Sequence, residues 1–206
     1  MKTLIFDLGG VIMTIDQDQA IQRFREKGVS HIEDYLNPYT QQGFFGDLEG
    51  GKITGEEFRQ KLSELTGRSL TLDDCSYCWQ GYRKEVAPHA LKALRQLRSE
   101  GYRLLLLSNT NPFMMEWAES PAFDGAGHPL SSYFDRMYLS YQLKMMKPSE
   151  AIFAYLLESE NLAPHDCIFI DDGSRNIATA QQMGFHTLCP INGEDWLPAL
   201  RAMLEL

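Results

Sequence analysis

The chain lacks any apolar stretch long enough to cross a membrane. Its longest run, Ala151 to Leu157, makes about two helical turns, whereas a span needs ~20 residues. It also lacks a leader pattern. MKTLIFDL leads straight into strand-like residues with no apolar h-region or small-residue cleavage site, so a cytoplasmic protein is expected. Basic residues are scarce, with 19 Lys and Arg against 28 Asp and Glu and a net charge of -9. A field of that sign repels nucleic acid unless basic residues concentrate in one patch. The richest basic stretch, Arg95 to Arg103, lies mostly on a helix with one core-packed and one solvated side, so no such patch is expected. The four cysteines form no zinc framework. Cys75 and Cys78 make one C-x-x-C, Cys167 and Cys189 supply no second pair at knuckle spacing, and all four read as small buried hydrophobes. The five His residues show no ligand spacing.

What the chain has is 206 residues, 44% of them hydrophobic, enough for one domain with an insert. Thr3 to Phe6 is a short apolar run that stops at Asp7 and Gly9-Gly10, a buried strand followed by a turn. From Asp16 to Glu85 the pattern is helical, with no convincing strand. Asp18 is expected to cap a helix that stops at Gly28. Thr54 and Glu57 form a capping box ahead of Phe58, Leu62 and Leu65, Gly67 ends that helix, and Thr71 begins another. Gly43, Gly46, Gly50 and Gly51 mark a flexible or tightly turning stretch.

After Pro88, helices and strands alternate. Strands are expected at Arg103 to Leu107, Met137 to Leu139, Cys167 to Ile170 and Phe185 to Leu188. Helices are expected from Pro88 to Gly101, from Pro112, from Ser149 to Glu158 and from Ser174 to Met183. Strands separated by crossover helices predict a parallel sheet covered on both faces. Residues 1–15 and 86–206 would form this α/β core, and residues 16–85 a helical insert after the first strand.

Ligands of such sheets bind beyond the C-terminal strand ends. There the sequence places Asp7, Ser108-Asn109 and Asp171-Asp172, with Lys147-Pro148 after the strand ending at Leu139. Crowded carboxylates raise one another's pKa or recruit a cation. Oxygen donors with one lysine nearby suit Mg²⁺ better than zinc. A hydroxyl, an amide and a lysine around that ion are what a phosphoryl group needs.

These stretches resemble the motifs of the haloacid dehalogenase superfamily. Phe6-Asp7-Leu8-Gly9-Gly10-Val11 is similar to its first motif, Leu107-Ser108-Asn109-Thr110-Asn111 to the second, and Lys147-Pro148 to the third. Phe169-Ile170-Asp171-Asp172, followed by Asn176-Ile177, is similar to the fourth. The resemblance implies a three-layer Rossmann-like parallel sheet core with a small all-helical cap inserted after the first strand. The branch that the chain most resembles is the bacterial sugar phosphatases of the α-D-glucose-1-phosphatase type, which share the S-N-T-N and F-x-D-D stretches and a cap segment like Glu49-x-Gly51-x-Ile53-Thr54.

By resemblance, Asp7 would be the nucleophile and pass through an aspartyl-phosphate, with Lys147 neutralising charge. Ser108 and Asn109 would hold phosphoryl oxygens. Asp7, the Gly9 carbonyl and Asp172, with Asp171 the less certain fourth, would take Mg²⁺. Asn176 occupies a position where the family often has a second acid. The substrate would be a small phosphorylated metabolite, and the chain a monomer or weak homodimer. One departure matters: many family phosphatases carry a general acid where this chain has Gly9. A sugar-1-phosphate, whose leaving oxygen needs a proton less urgently, would account for it, or water or a cap residue such as Glu49 or Asp16 would supply the proton. A dehalogenase, a non-catalytic phosphometabolite-binding protein and a phosphomutase are the alternatives, with Asp172 counting against the first.

Overall fold

The computed structural model describes residues 3–36 and 41–205. Its strands are β1 (Thr3–Phe6), β2 (Met13–Ile15), β3 (Arg83–Val86), β4 (Arg103–Ser108), β5 (Arg136–Leu139), β6 (Cys167–Ile170) and β7 (His186–Leu188). Its α-helices are α1 (Gln17–Glu26), α2 (Gly43–Glu49), α3 (Gly55–Thr66), α4 (Leu72–Trp79), α5 (Pro88–Ser99), α6 (Pro112–Ala118), α7 (Ser140–Leu143), α8 (Glu150–Glu160), α9 (Ser174–Gln182) and α10 (Leu197–Leu204). Among the described residues, no helix is long and apolar enough to cross a membrane.

Five strands form one parallel sheet in the order β5-β4-β1-β6-β7, as the alternation of strands and helices predicts. β1 is central, so its side chains are buried on both faces of the sheet. Leu4 and Phe6 join Leu104, Leu106, Ile168 and Ile170 in a core closed by Leu94 and Leu97 of α5 and Leu200 of α10. Ile5, Leu105, Leu107 and Phe169 face the other way, onto Ile152, Phe153 and Leu156 of α8 and Ala180 of α9. Each such side chain contributes about 1.5–3 kcal/mol by leaving water. The continuous apolar strands are therefore what a two-sided sheet requires.

The helices between β2 and β3 add an aromatic group to the first of these cores. α1, α2, α3 and α4 contribute Phe24, Phe45, Phe58 and Trp79, respectively, to one buried cluster with ring centroids 5.0 to 5.7 Å apart. Capping boxes at Thr54/Glu57 and Thr71/Asp74 start α3 and α4, the first as expected.

Several expectations are corrected. Asp16, not Asp18, caps the first helix, accepting from the Gln19 amide at 2.9 Å. Of the glycine-marked stretch, Gly50 and Gly51 turn as expected, but Gly43 and Gly46 lie in helix α2, because Phe45 and Leu48 gain more from burial than these glycines lose in helix propensity. A strand does occur at the end of the insert. β3 pairs antiparallel with β2, Met13 opposite Val86 and Thr14 opposite Glu85, joining the entry and exit of the helical segment. Cys75, Cys78 and Cys167 are buried, but Cys189 is exposed.

Candidate active site

Three parallel strands end together and set the polar groups. β1 delivers Asp7, β4 delivers Ser108 and Asn109, and β6 delivers Asp171 and Asp172, while Lys147 arrives after β5 and α7. Asp7, Gly9, Ser108, Asn109, Lys147 and Asp172 all border one cleft of about 730 Å³, its open mouth included.

Lys147 is the electrostatic centre. Its Nζ lies 3.0 Å from Asp7 Oδ2 and 2.5 Å from Asp171 Oδ2, with the side chain wholly buried. Burial opposes its charge, but Asp171 and Asp7 outweigh that and hold its pKa above the ordinary lysine value. Asn109 fixes the Lys147 backbone from both sides. Its Nδ2 donates to the Lys147 carbonyl at 2.8 Å, and its Oδ1 accepts from the Lys147 amide at 2.9 Å.

Asp171 and Asp172, adjacent in sequence, have different surroundings. Asp171 is fully buried and accepts from Lys147 Nζ, from the Gly173 amide at 2.7 Å and from Asn176 Nδ2 at 3.0 and 3.1 Å. Asp172 borders the cleft beside Asp7. It fits there because residue 10 is glycine, with φ +74°. A Cβ on Gly10 would sit 2.2 Å from Asp172 Oδ2.

Carboxylate oxygens of Asp7, Asp171 and Asp172 lie within 4.8 Å of one another, against the one ammonium of Lys147. The imbalance shows in their titration. Burial, partly offset by Lys147 and reinforced by Asp171, pushes Asp7 up to about 6. Burial together with the charges of Asp7 and Asp171 pushes Asp172 up to about 7. An oxygen-only set with surplus negative charge is a fit for Mg²⁺, a hard cation that favours carboxylate and carbonyl ligands.

The opposite wall was less visible in the sequence. Glu49, Trp79 and Tyr82 come from the helical insert or its exit, and Asn111 and Met114 from the start of α6. Asn111 caps α6 through its Oδ1, while its Nδ2 and the Trp79 Nε1 have no hydrogen-bond partner among the described residues. Met114 and Trp79 are buried packing residues as well as cleft wall, and helical periodicity does not tell the two apart. Asp16 is absent from the cleft and spends its carboxylate on the α1 cap.

Comparison with known proteins agrees with this geometry. A D-ribitol-5-phosphate phosphatase of Bacteroides thetaiotaomicron is 43% identical over 205 residues, covering 100% of this chain and 99% of the relative. A HAD-like family hydrolase from Porphyromonas gingivalis superposes with a TM-score of 0.95 at 41% identity, covering 100% and 98% of the two chains. A second Bacteroides thetaiotaomicron enzyme of the HAD family, crystallised as an aspartate-to-alanine variant with magnesium and inorganic phosphate, superposes at 0.88 with 34% identity over 98% of this chain and 100% of its own. The family model for haloacid dehalogenase-like hydrolases matches residues 1–184. With strand order, motif placement and these matches in accord, this chain belongs to the haloacid dehalogenase-like hydrolase family.

Proposed function

We propose that this Mg²⁺-dependent phosphatase hydrolyses the phosphate ester of a small sugar or polyol through an aspartyl-phosphate on Asp7. The observation that carries the reading is the gathering of Asp7 and Asp172 on the cleft wall around a lysine held from two sides. Asp7, Asp172 and the Gly9 carbonyl would hold Mg²⁺. Asp171, its oxygens already engaged by Lys147, Gly173 and Asn176, would instead orient the lysine. When bound, the ion supplies positive charge that offsets the carboxylates and the phosphoryl oxygens.

The steps then belong to the chain. Ser108 and the Asn109 amide receive the phosphoryl oxygens, and Lys147 holds Asp7 ionised and aimed at phosphorus. Asp7 attacks, the alcohol leaves, and water releases phosphate from Asp7. The helical segment 16–85 acts as a cap over this cleft and selects the leaving group, and the enzyme works on cytoplasmic metabolites.

The relative that acts on D-ribitol-5-phosphate supports a primary alkyl phosphate over an anomeric one. That preference removes the easy explanation for Gly9, since a primary alkoxide does need a proton.

The test is phosphate release from a panel of sugar and polyol phosphates, with Mg²⁺ and with EDTA, for wild type and Asp7→Asn. Release that needs Mg²⁺ and disappears in the variant is expected. Silence on every ester, an activated aryl phosphate included, rejects the proposal.

A further inference from the structure

Gly9 has no side chain and so no acid to offer; a Cβ there would meet only the tip of the Ile15 side chain on β2, 2.6 Å from its Cδ1. The proton for the leaving oxygen then comes from water or from another group on the cleft wall.

The wall offers few sources. Among the described residues lining the cleft, the carboxyl groups are Asp7, Asp172 and Glu49, and the first two are committed to the nucleophile and the ion. The indole of Trp79 and the amide of Asn111 hydrogen-bond without giving up a proton. Burial drives the Tyr82 phenol well above the ordinary tyrosine range, and the nearby Glu49 adds to this, so Tyr82 is a poor donor.

Glu49 differs from all of these. It is the last residue of α2, only 8% exposed, and makes no ion pair among the described residues. Its backbone is tied to the core. Ser140 Oγ lies 2.7 Å from the Glu49 carbonyl and 3.2 Å from the Thr110 carbonyl, and accepts from the Thr110 amide at 3.0 Å. The loop after β4 and the Glu49 backbone are thus joined through one hydroxyl. Two residues on, a Cβ at Gly51 would lie 2.0 Å from the Tyr141 carbonyl oxygen, so the cap meets the core backbone to backbone. Such anchoring gives the fixed placement that proton transfer requires.

We propose that Glu49 is the general acid–base of this reaction, protonating the leaving oxygen from the cap side of the cleft. As the bond from Asp7 to phosphorus forms, the bond from phosphorus to the leaving oxygen breaks with its electron pair on that oxygen. The oxygen takes the carboxyl proton of Glu49. Water then enters where the alcohol left, Glu49 carboxylate accepts a proton from it, and its oxygen bonds to phosphorus as the bond to Asp7 breaks. Glu49 ends protonated, ready for another ester. Its environment suits the resting form: burial, reinforced by the negative charge of Asp7, pushes Glu49 up to about 8.

This assignment rests on the phosphatase reading above, and leaving-group dependence separates the two. The assay compares kcat/KM of wild type and Glu49→Gln on D-ribitol-5-phosphate and on p-nitrophenyl phosphate, whose phenolate leaves without help. General acid–base catalysis is typically worth ~10²–10⁴-fold. Glu49→Gln is expected to lose that on the alkyl ester and only a few-fold on the aryl ester, whose turnover also shows that the variant is folded. An equal loss on both esters, or none on either, overturns the assignment while leaving the phosphatase intact. A wild type inert on both overturns the phosphatase reading and this assignment with it.

Discussion

Asp172 offers a way to read the ion's place from stability alone. In the ion-free protein its carboxyl moves from an ordinary 3.8 to about 7, through burial and the charges of Asp7 and Asp171. A pKa raised by folding means that the native state holds the proton more tightly than the unfolded chain does. Stability from this group is complete below 3.8 and is lost as pH rises through about 7. At about 1.4 kcal/mol per pKa unit, the full excursion costs at most ~4 kcal/mol. Asp7 and Asp172 share this repulsion, so removing one charge recovers half of it, ~2 kcal/mol. Asp172→Asn should therefore be more stable than wild type in EDTA at about pH 8, by roughly 4–8 °C in Tm for a chain of this size. Near pH 4 the two should melt together. Saturating Mg²⁺ should reverse the order: an ion at about 100 times its Kd adds ~2.7 kcal/mol to wild type, and the variant lacks one ligand. The assay is thermal denaturation at both pH values, with EDTA and with Mg²⁺. A variant that melts below wild type in EDTA, or that gains as much from Mg²⁺, refutes the charge argument.

Two further substitutions probe the frame of the site. Lys147→Met leaves Asp171 and Asp7 without their cation in a buried setting, which should cost ~3–5 kcal/mol and abolish phosphate release. Urea denaturation gives the magnitude, and a variant as stable as wild type shows that the pair contributes little. Gly51→Ala and Gly67→Ala form a matched pair, since both glycines have φ +64° but a Cβ at Gly67 would meet nothing within 4 Å. Both should lose about 1–2 kcal/mol to the left-handed backbone. Only Gly51→Ala should also lower kcat/KM, by tenfold or more, because the turn must move away from Tyr141 and take Glu49 with it; equal kinetics for the two would remove the anchoring argument.

The residues that could be read in advance share one property: their surroundings are set within a few positions of chain. β1, β4 and β6 are apolar runs because a central parallel strand is buried on both faces, and the polar residue that ends each run falls at the mouth of the sheet. Asp7, Ser108 and Asp171-Asp172 follow from that alone. What could not be read depends on partners far away in sequence. β3 begins Arg83-Lys84-Glu85, with no apolar alternation, and is a strand because Met13 to Ile15 lie beside it. α2 contains two glycines in seven residues and is a helix because Phe45 packs on Phe24, Phe58 and Trp79 from three other helices.

The same distinction separates the two halves of the catalytic machinery. Which of Asp171 and Asp172 faces the nucleophile is decided by where Lys147 and Asn176 sit, and both carboxylates look alike in sequence. Glu49 is harder still. In sequence it is one acid among 28 Asp and Glu, next to glycines that suggest an exposed turn. Its character comes from α2 folding against aromatic residues and from Ser140 holding its carbonyl. The half of the site proposed to hold the nucleophile is thus written locally at strand ends, whereas the proposed proton donor arises only where the helical segment meets the sheet. On that proposal, a change in the helical segment should alter the leaving group that is served without touching Asp7, Lys147 or Asp172.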